Sequence, residues 1–426
     1  MLTAIVGINW GDEGKGRMVD MLASQYDIIV RYQGGNNAGH TVVNDKGKFI
    51  LNLLPSGILH HSTVNVMGPG MVIDIEHLCN EIKSLVEKGI KITPHNLKIS
   101  HRATICFPYH VRQDILEEER LGSRKYGSTR RGIAPVYADK YIKKGIRMGD
   151  LLFPHTLREK LENIIEWKNL LLYNGYHDKI IDTDEMLKWL WLYGESLLPY
   201  ICDVSEYLEN AIEENKNILF EAQLGALRDI DYGIYPYTSS STTLASFATT
   251  GAGIPGMKLD KVIGIMKAYS SCVGEGPFIA EFFGEESVRL REAGGEYGAA
   301  TGRPRRVGAF DIPASRYGIK VQGADEIALT KLDVLSYMEK IPVCVAYEID
   351  GKNTKRFPTG DRLLKAKPVF DLIDGWKCDI SSCRKKQDLP AEAIAYIRFI
   401  EEMTECKIRY VSVGAERDAY IDMDMV

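Results

Sequence analysis

Ala4-Ile5-Val6-Gly7-Ile8-Asn9-Trp10-Gly11-Asp12-Glu13-Gly14-Lys15-Gly16-Arg17 runs from an apolar stretch into a glycine-rich loop that ends on a lysine and an arginine. Ala4 to Ile8 has the length and content of a short buried strand, and Arg17 to Ser24 sets Met18, Val19 and Leu22 on one helical face. Ile28 to Tyr32 supplies a second strand. Strand, glycine loop, helix and strand in close succession make a βαβ unit, which implies a right-handed crossover in a largely parallel sheet. Ligands of such sheets sit at the carboxyl ends of the strands, where this loop lies.

Working outward, Ile75, Leu78, Cys79, Ile82, Leu85 and Val86 keep helical spacing up to a stop at Gly89. Similar amphipathic stretches run from about Leu157 to Trp167, Tyr207 to Ile212 and Ala393 to Met403. Strands are expected at Ile218 to Phe220, Val262 to Met266, Ile327 to Leu329, Val343 to Tyr347 and Ile408 to Val413. The alternation predicts an α/β fold: a large, mostly parallel central sheet flanked by helices, P-loop-NTPase-like, with inserted helical and loop segments. No repeat, low-complexity tract or Pro/Gly/Ser linker interrupts the chain, so residues 1–426 read as a single domain.

Bulk properties narrow the function classes. The chain is 45% hydrophobic and 26% charged, which is a globular composition. Its net charge of -5 comes from 53 basic and 58 acidic groups spread along the sequence, so no overall field favours nucleic acid or an anionic membrane. The eight cysteines form no Cys-x-x-Cys pair, which argues against a zinc site or a disulfide framework. The N-terminus lacks a basic leader and no apolar run approaches a membrane span. A cytoplasmic enzyme is the expectation.

In the Gly11 to Arg17 loop, glycines let backbone amides approach phosphate oxygens, the helix start adds positive potential, and Lys15 supplies a mobile cation. The loop departs from a standard P-loop: Asn9 stands where the first glycine belongs, and Gly16 replaces the Ser/Thr whose hydroxyl binds Mg²⁺. Asp12 and Glu13 would be repelled by phosphates unless they bind the metal or act as a base. Asp12 is the candidate for both tasks; Glu13 reads equally as a functional group or as a capping carboxylate. Arg31-Tyr32-Gln33-Gly34-Gly35-Asn36-Asn37-Ala38-Gly39-His40-Thr41 follows the second strand, and its His40 can act as an acid or as a hydrogen-bond donor.

Thr330-Lys331-Leu332-Asp333 ends a strand, and a carboxylate at Asp333 can accept both N1–H and N2–H₂ of guanine. A capping aspartate explains the tetrapeptide on its own; beside the phosphate loop, the guanine reading prevails and predicts GTP over ATP. Gly298-Ala299-Ala300-Thr301-Gly302-Arg303-Pro304-Arg305-Arg306 gathers arginines suited to an anionic substrate. Tyr126-Gly127-Ser128-Thr129-Arg130-Arg131-Gly132 is a second basic loop. Two anion sites beyond the triphosphate suggest one phosphorylated and one carboxylate co-substrate.

These blocks, with Leu54-Pro55-Ser56-Gly57-Ile58 and Asp229-Ile230-Asp231-Tyr232-Gly233-Ile234-Tyr235-Pro236-Tyr237, resemble the adenylosuccinate synthetase family over essentially the whole chain. The resemblance implies a Mg²⁺-dependent homodimer that joins IMP and L-aspartate at the expense of GTP. It implies that Asp12, Lys15, His40 and Gln223 are catalytic, and that Asp12 and the Gly39 carbonyl ligate the metal. GTP would meet Gly11, Asp12, Glu13, Gly14, Lys15, Gly16, Arg17, Gly39, His40, Thr41 and Arg305, with its guanine on Lys331, Leu332, Asp333, Ser412, Val413 and Gly414. IMP would meet Asp12, Glu13, Gly14, Lys15, Asn37, Ala38, Gly39, His40, Thr129, Ser239 and Arg303. Aspartate would meet Ala299, Ala300, Thr301, Gly302, Arg303, Pro304 and Arg305.

Two positions depart from the family pattern. Glu221-Ala222-Gln223-Leu224-Gly225 has its glutamine displaced by one residue, so either Gln223 reaches the IMP base through an altered turn or Leu224 faces it. Lys143 stands where the family carries an arginine that reaches the partner's IMP phosphate; lysine keeps the charge and loses the fork. The displaced glutamine leaves room for a second reading, the same chemistry on a 2-amino or deoxy purine nucleotide. A GTP-binding switch protein is a further alternative, which leaves the arginine loop unexplained.

Overall fold

The computed structural model describes residues 1–44, 47–298 and 302–425. Its frame is a sheet of ten strands: β1 (Leu2–Gly7), β2 (Ile28–Arg31), β3 (Val64–Met67), β4 (Leu97–Ser100), β5 (Ile201–Cys202), β6 (Ile218–Glu221), β7 (Lys261–Lys267), β8 (Glu326–Thr330), β9 (Ile408–Ser412) and β10 (Tyr420–Asp422). Across the sheet they lie in the order β10-β9-β8-β7-β1-β6-β2-β3-β4-β5. Neighbours are parallel except β9 and β10.

β1 is central, and its burial on both faces explains its apolar run Ala4-Ile5-Val6. Alternation divides it: Ile5 packs with Met18, Val19 and Leu22 of helix α1 (Lys15–Leu22), whereas Ala4 and Val6 pack with Phe220 and Ala248 on the other face. α1 begins two residues before the sequence expectation, at the residue after Gly14, and a 3₁₀ turn at Ala23–Gln25 completes it. The other expected helices occur as Ile75–Glu87, Pro154–Asn169, Val204–Glu213 and Ala391–Thr404. The first is capped by the Asp74 carboxylate, which accepts from His77 N at 3.0 Å.

One expected strand belongs elsewhere. Val343 to Tyr347 lies within Lys340–Ile349, which pairs antiparallel with Lys367–Asp374 in a separate small sheet. Helices Pro108–Leu121, Ile133–Tyr141 and Thr183–Gly194 join Pro154–Asn169 as an insertion before β5. This insertion buries Phe107, Leu157, Leu161, Ile164 and Leu190 together. Among the described residues, no helix is long and apolar enough to cross a membrane.

The frame sets the carboxyl ends of β1, β6, β7, β2 and β8 side by side. Gly7, Glu221, Lys267, Arg31 and Thr330 occupy those ends, and the segments that begin at Ile8, Tyr32 and Lys331 leave from them.

Candidate active site

The loop after β1 turns sharply: Gly11 and Gly14 have φ of 100°, and Asp12 sits at φ 59°. A non-glycine residue in that region is costly and is held there by its surroundings. The holding group is Glu13. Its buried carboxylate accepts from Asn9 N at 3.1 Å and Gly11 N at 2.8 Å and pairs with Lys15 Nζ at 2.7 Å, while Thr330 Oγ1 donates to its carbonyl at 2.7 Å. Both oxygens of Glu13 thus brace the loop. Gly14 precedes α1 without a side-chain cap, so the first amides of the helix keep their capacity for an anion.

Gly16 has a packing reason. A Cβ at this position would lie 2.7 Å from His40 Cβ and 2.9 Å from Ser56 Oγ. The space that a P-loop serine or threonine would fill is taken by His40. His40 Nδ1 is 2.7 Å from Glu221 Oε1, and Ser56 donates to the same carboxylate through N at 2.8 Å and Oγ at 2.6 Å. Burial holds His40 below the usual histidine value, against the pull of Glu221. Its neutral ring therefore gives Nδ1–H to Glu221 and leaves Nε2 for a ligand. Arg31, fully buried, adds positive charge beside Glu221 and donates to Asn52 O at 2.6 Å.

Gln223 does not present its amide to the site. It is fully buried: Nε2 donates to Gly35 O at 2.9 Å and Ala38 O at 3.3 Å, and Oε1 accepts from Gly35 N at 3.2 Å. The following Leu224, at φ 63°, packs over Gly11 and stays partly exposed. Asn37 Oδ1 accepts from Gly35 N at 3.3 Å in the same loop. Ser239 N donates to Arg228 O at 2.8 Å, and its hydroxyl lies 3.2 Å from that of Ser241.

The three arginines after residue 302 diverge. Arg306 forms a fork with Glu281 and donates to Gly276 O at 2.7 Å, so it is a structural member of the run. Arg303 is exposed, 3.7 Å from Glu275, which lies against the Gly127 turn of the second basic loop, where Thr129 is also exposed. Arg305 turns inward: Nη2 lies 2.9 Å from Asp12 Oδ2 and Nη1 lies 2.9 Å from Glu296 Oε2. Ala299, Ala300 and Thr301 lie outside the described residues.

At the far side, Asp333 Oδ1 is buried without a hydrogen-bond partner, and burial raises its pKa. An orphaned acceptor of this kind suits a ligand N–H. Arg17 joins this edge to α1: Nη1 donates to Ser412 Oγ at 2.8 Å and to Gly414 O, and the guanidinium lies 4.5 Å from the Tyr420 ring centroid. Lys143, at φ 65°, is exposed on the insertion beyond helix Ile133–Tyr141.

The glycine-rich loop after β1, the His40–Glu221 pair and Arg305 thus lie together at the carboxyl edge of the sheet. A model of the adenylosuccinate synthetase family matches residues 4–421. The chain belongs to the adenylosuccinate synthetase family. It is 44% identical over 421 residues to the adenylosuccinate synthetase of Caldanaerobacter subterraneus subsp. tengcongensis, a match covering 99% of this chain and 98% of the relative. With that of Nostoc punctiforme it is 45% identical over 418 residues, 98% of this chain and 93% of the other. The fully ligated adenylosuccinate synthetase of Plasmodium falciparum has a similar structure, with a TM-score of 0.92 at 36% identity over 99% of this chain and 100% of that one. A succinoaminodeoxyadenylate synthetase of Cyanophage S-2L bound to dGMP and dATP shares the fold, with a TM-score of 0.61 at 17% identity over 99% and 95%. The chain is thus an enzyme of the adenylosuccinate synthetase family, a ligase.

Sequence reasoning assigned no role to Glu221, Ser56, Lys267 or Glu296. Two of them carried a signal: Glu221 and Lys267 are charges that directly follow the apolar runs Ile218–Phe220 and Val262–Met266 at the carboxyl ends of their strands, where a buried unpaired charge is disfavoured.

Proposed function

We propose that this chain joins IMP and L-aspartate at the expense of GTP, giving adenylosuccinate, GDP and phosphate. The observation that carries the reading is the family match over residues 4–421, and the site geometry is consistent with it. Asp12, on the tip of the phosphate loop, takes the N1 proton of IMP so that O6 attacks the γ-phosphorus of GTP. Lys15 leaves Glu13 for the phosphates, and His40, its Nδ1–H fixed on Glu221, takes up a proton at Nε2 beside the phosphate charge and then donates it to the phosphoryl group. The aspartate amine then adds at C6 and expels phosphate. Asn37, Thr129, Ser239 and Arg303 hold IMP, residues 299–305 receive aspartate, and Lys331 to Asp333 with Ser412 to Gly414 hold guanine. Gln223 contributes through the loop it braces, and Leu224 is the side chain nearer the purine.

Mg²⁺ fits the donors available. The Asp12 carboxylate and the Gly39 carbonyl are hard oxygen donors, and the usual P-loop hydroxyl is excluded at Gly16. When bound, the ion neutralises phosphate charge. We further propose a single-domain, cytoplasmic enzyme that acts as a homodimer, with Lys143 directed to the partner's IMP; Tyr141 and Ile142 beside it are 72% and 51% exposed, an apolar pair suited to an interface.

The test is phosphate release with each component omitted in turn. The reading requires GTP, IMP, aspartate and Mg²⁺ together. Turnover without aspartate, or equal efficiency with ATP, contradicts it, and preference for dGMP over IMP favours the variant-purine reading.

A further inference from the structure

Glu296 has no part in the roles above, yet its side chain has no solvent exposure and sits among three cations. Oε1 accepts from Lys267 Nζ at 2.7 Å, from the Tyr269 hydroxyl at 2.6 Å and from Lys331 Nζ at 3.0 Å. Oε2 accepts from Arg305 Nη1 at 2.9 Å. Burial opposes its charge, but Lys267, Lys331 and Arg305 outweigh it and hold the carboxyl well below the usual range.

The way Arg305 is shared is informative. A guanidinium offers a carboxylate its Nε/Nη2 edge as a fork of two parallel donors. Glu296 holds the opposite corner, Nη1. On the fork, Nη2 touches Asp12 and Nε is buried with no partner. The backbone ties the same two residues, since Arg305 N donates to Glu296 O at 2.9 Å, and Gly298 N donates to Arg303 O at 2.9 Å further along. Glu296 and Arg305 thus form the stem from which the arginine segment projects. On its other side Glu296 holds Lys331, the residue at φ 59° that opens the segment carrying Asp333. Three cations against Glu296 and Asp12 leave an excess positive charge for an incoming anion.

We infer that Glu296 is a positioning residue that anchors Arg305 at Nη1, presents its Nε/Nη2 edge to the substrate carboxylate, and ties that capture to the guanine segment through Lys331. The inference rests on the proposed contact between Arg305 and aspartate. Removing the charge at Glu296 therefore weakens aspartate and GTP together and leaves IMP, three of whose four proposed holding residues (Asn37, Thr129 and Ser239) lie on other loops, nearly unaffected.

The experiment is steady-state kinetics of Glu296→Gln with each substrate varied at saturating levels of the others. KM for aspartate rises about tenfold or more and KM for GTP at least threefold, KM for IMP stays within twofold, and Glu296→Asp recovers part of the loss. An unchanged aspartate KM overturns the inference, as does a fall in kcat with all three KM values moving in step with thermal stability. If Glu296→Gln does not fold, Glu296→Gln with Lys267→Met removes one charge of each sign and carries the same expectations. Absence of GTP-, IMP- and aspartate-dependent turnover in the wild type would instead defeat the functional reading itself.

Discussion

Arg305 lies against Asp12, with Nη2 2.9 Å from Oδ2. The carboxylate proposed as the base is therefore held by the arginine proposed to meet a substrate anion. Both side chains are partly shielded, so the pair is stronger than an exposed one, and it must loosen before Asp12 meets IMP.

Asp12→Asn keeps the size of the residue and removes the base. Turnover is expected to fall by about 10²–10⁴, the range of a lost general base, while GTP binding measured by calorimetry stays within a few-fold. Turnover near the wild-type level would remove Asp12 from the chemistry.

Gly16→Ser restores the P-loop hydroxyl and is expected to damage the enzyme. The added Cβ would fall 2.7 Å from His40 Cβ, a group without freedom to retreat because Glu221 holds its ring. Overpacking of this kind costs about 1–3 kcal/mol. A lower melting temperature together with a drop in kcat/KM is the expected result, and tighter Mg²⁺ dependence with full stability is the contrary one.

Asp333→Asn should exchange the base preference. The buried Oδ1 without a partner accepts a guanine N–H in this account, and an amide in its place offers a donor to the O2 of xanthine. Loss of charged hydrogen bonds predicts about a hundredfold weaker use of GTP, with XTP becoming the better substrate in competition assays.

The insertion carries a pH-dependent element. His110 is fully buried, with Nδ1 accepting from Phe107 N at 2.9 Å and Nε2 3.0 Å from Asp139 Oδ2, which also pairs with Lys168 at 2.7 Å. Burial pushes His110 down to about 4 from 6.5, against the pull of Asp139. Between those values the unfolded chain binds a proton that the folded chain refuses. Its contribution is complete above pH 6.5 and is lost as the pH falls toward 4, on the order of 3 kcal/mol. Urea unfolding from pH 7 to 4.5 should show wild type losing stability faster than His110→Gln.

Much of the site was legible because its chemistry is local. The glycine turns, Lys15, His40 and the Thr330 to Asp333 segment are short motifs that follow strands, and the parallel sheet brings strand ends to one edge. What was not legible depends on partners distant in sequence. Glu13 reads from sequence equally as a capping or a functional carboxylate, and its oxygens bond to Asn9, Gly11 and Lys15. The resemblance implies a catalytic Gln223, and the structure sets its amide on the backbone of Gly35. Glu296 gains its meaning from Lys267 and Lys331, which reach it from the ends of β7 and β8. Helix Pro108–Leu121 escaped detection because its buried face includes His110, Asp114 and Glu118, which blur the apolar period.

The most direct test follows one atom. If O6 of IMP attacks the γ-phosphorus and the aspartate amine then expels phosphate from C6, that oxygen leaves in the phosphate. With IMP labelled by ¹⁸O at O6, the released phosphate is predicted to carry one labelled oxygen per turnover. Unlabelled phosphate, released at the same rate as adenylosuccinate forms, would contradict the account.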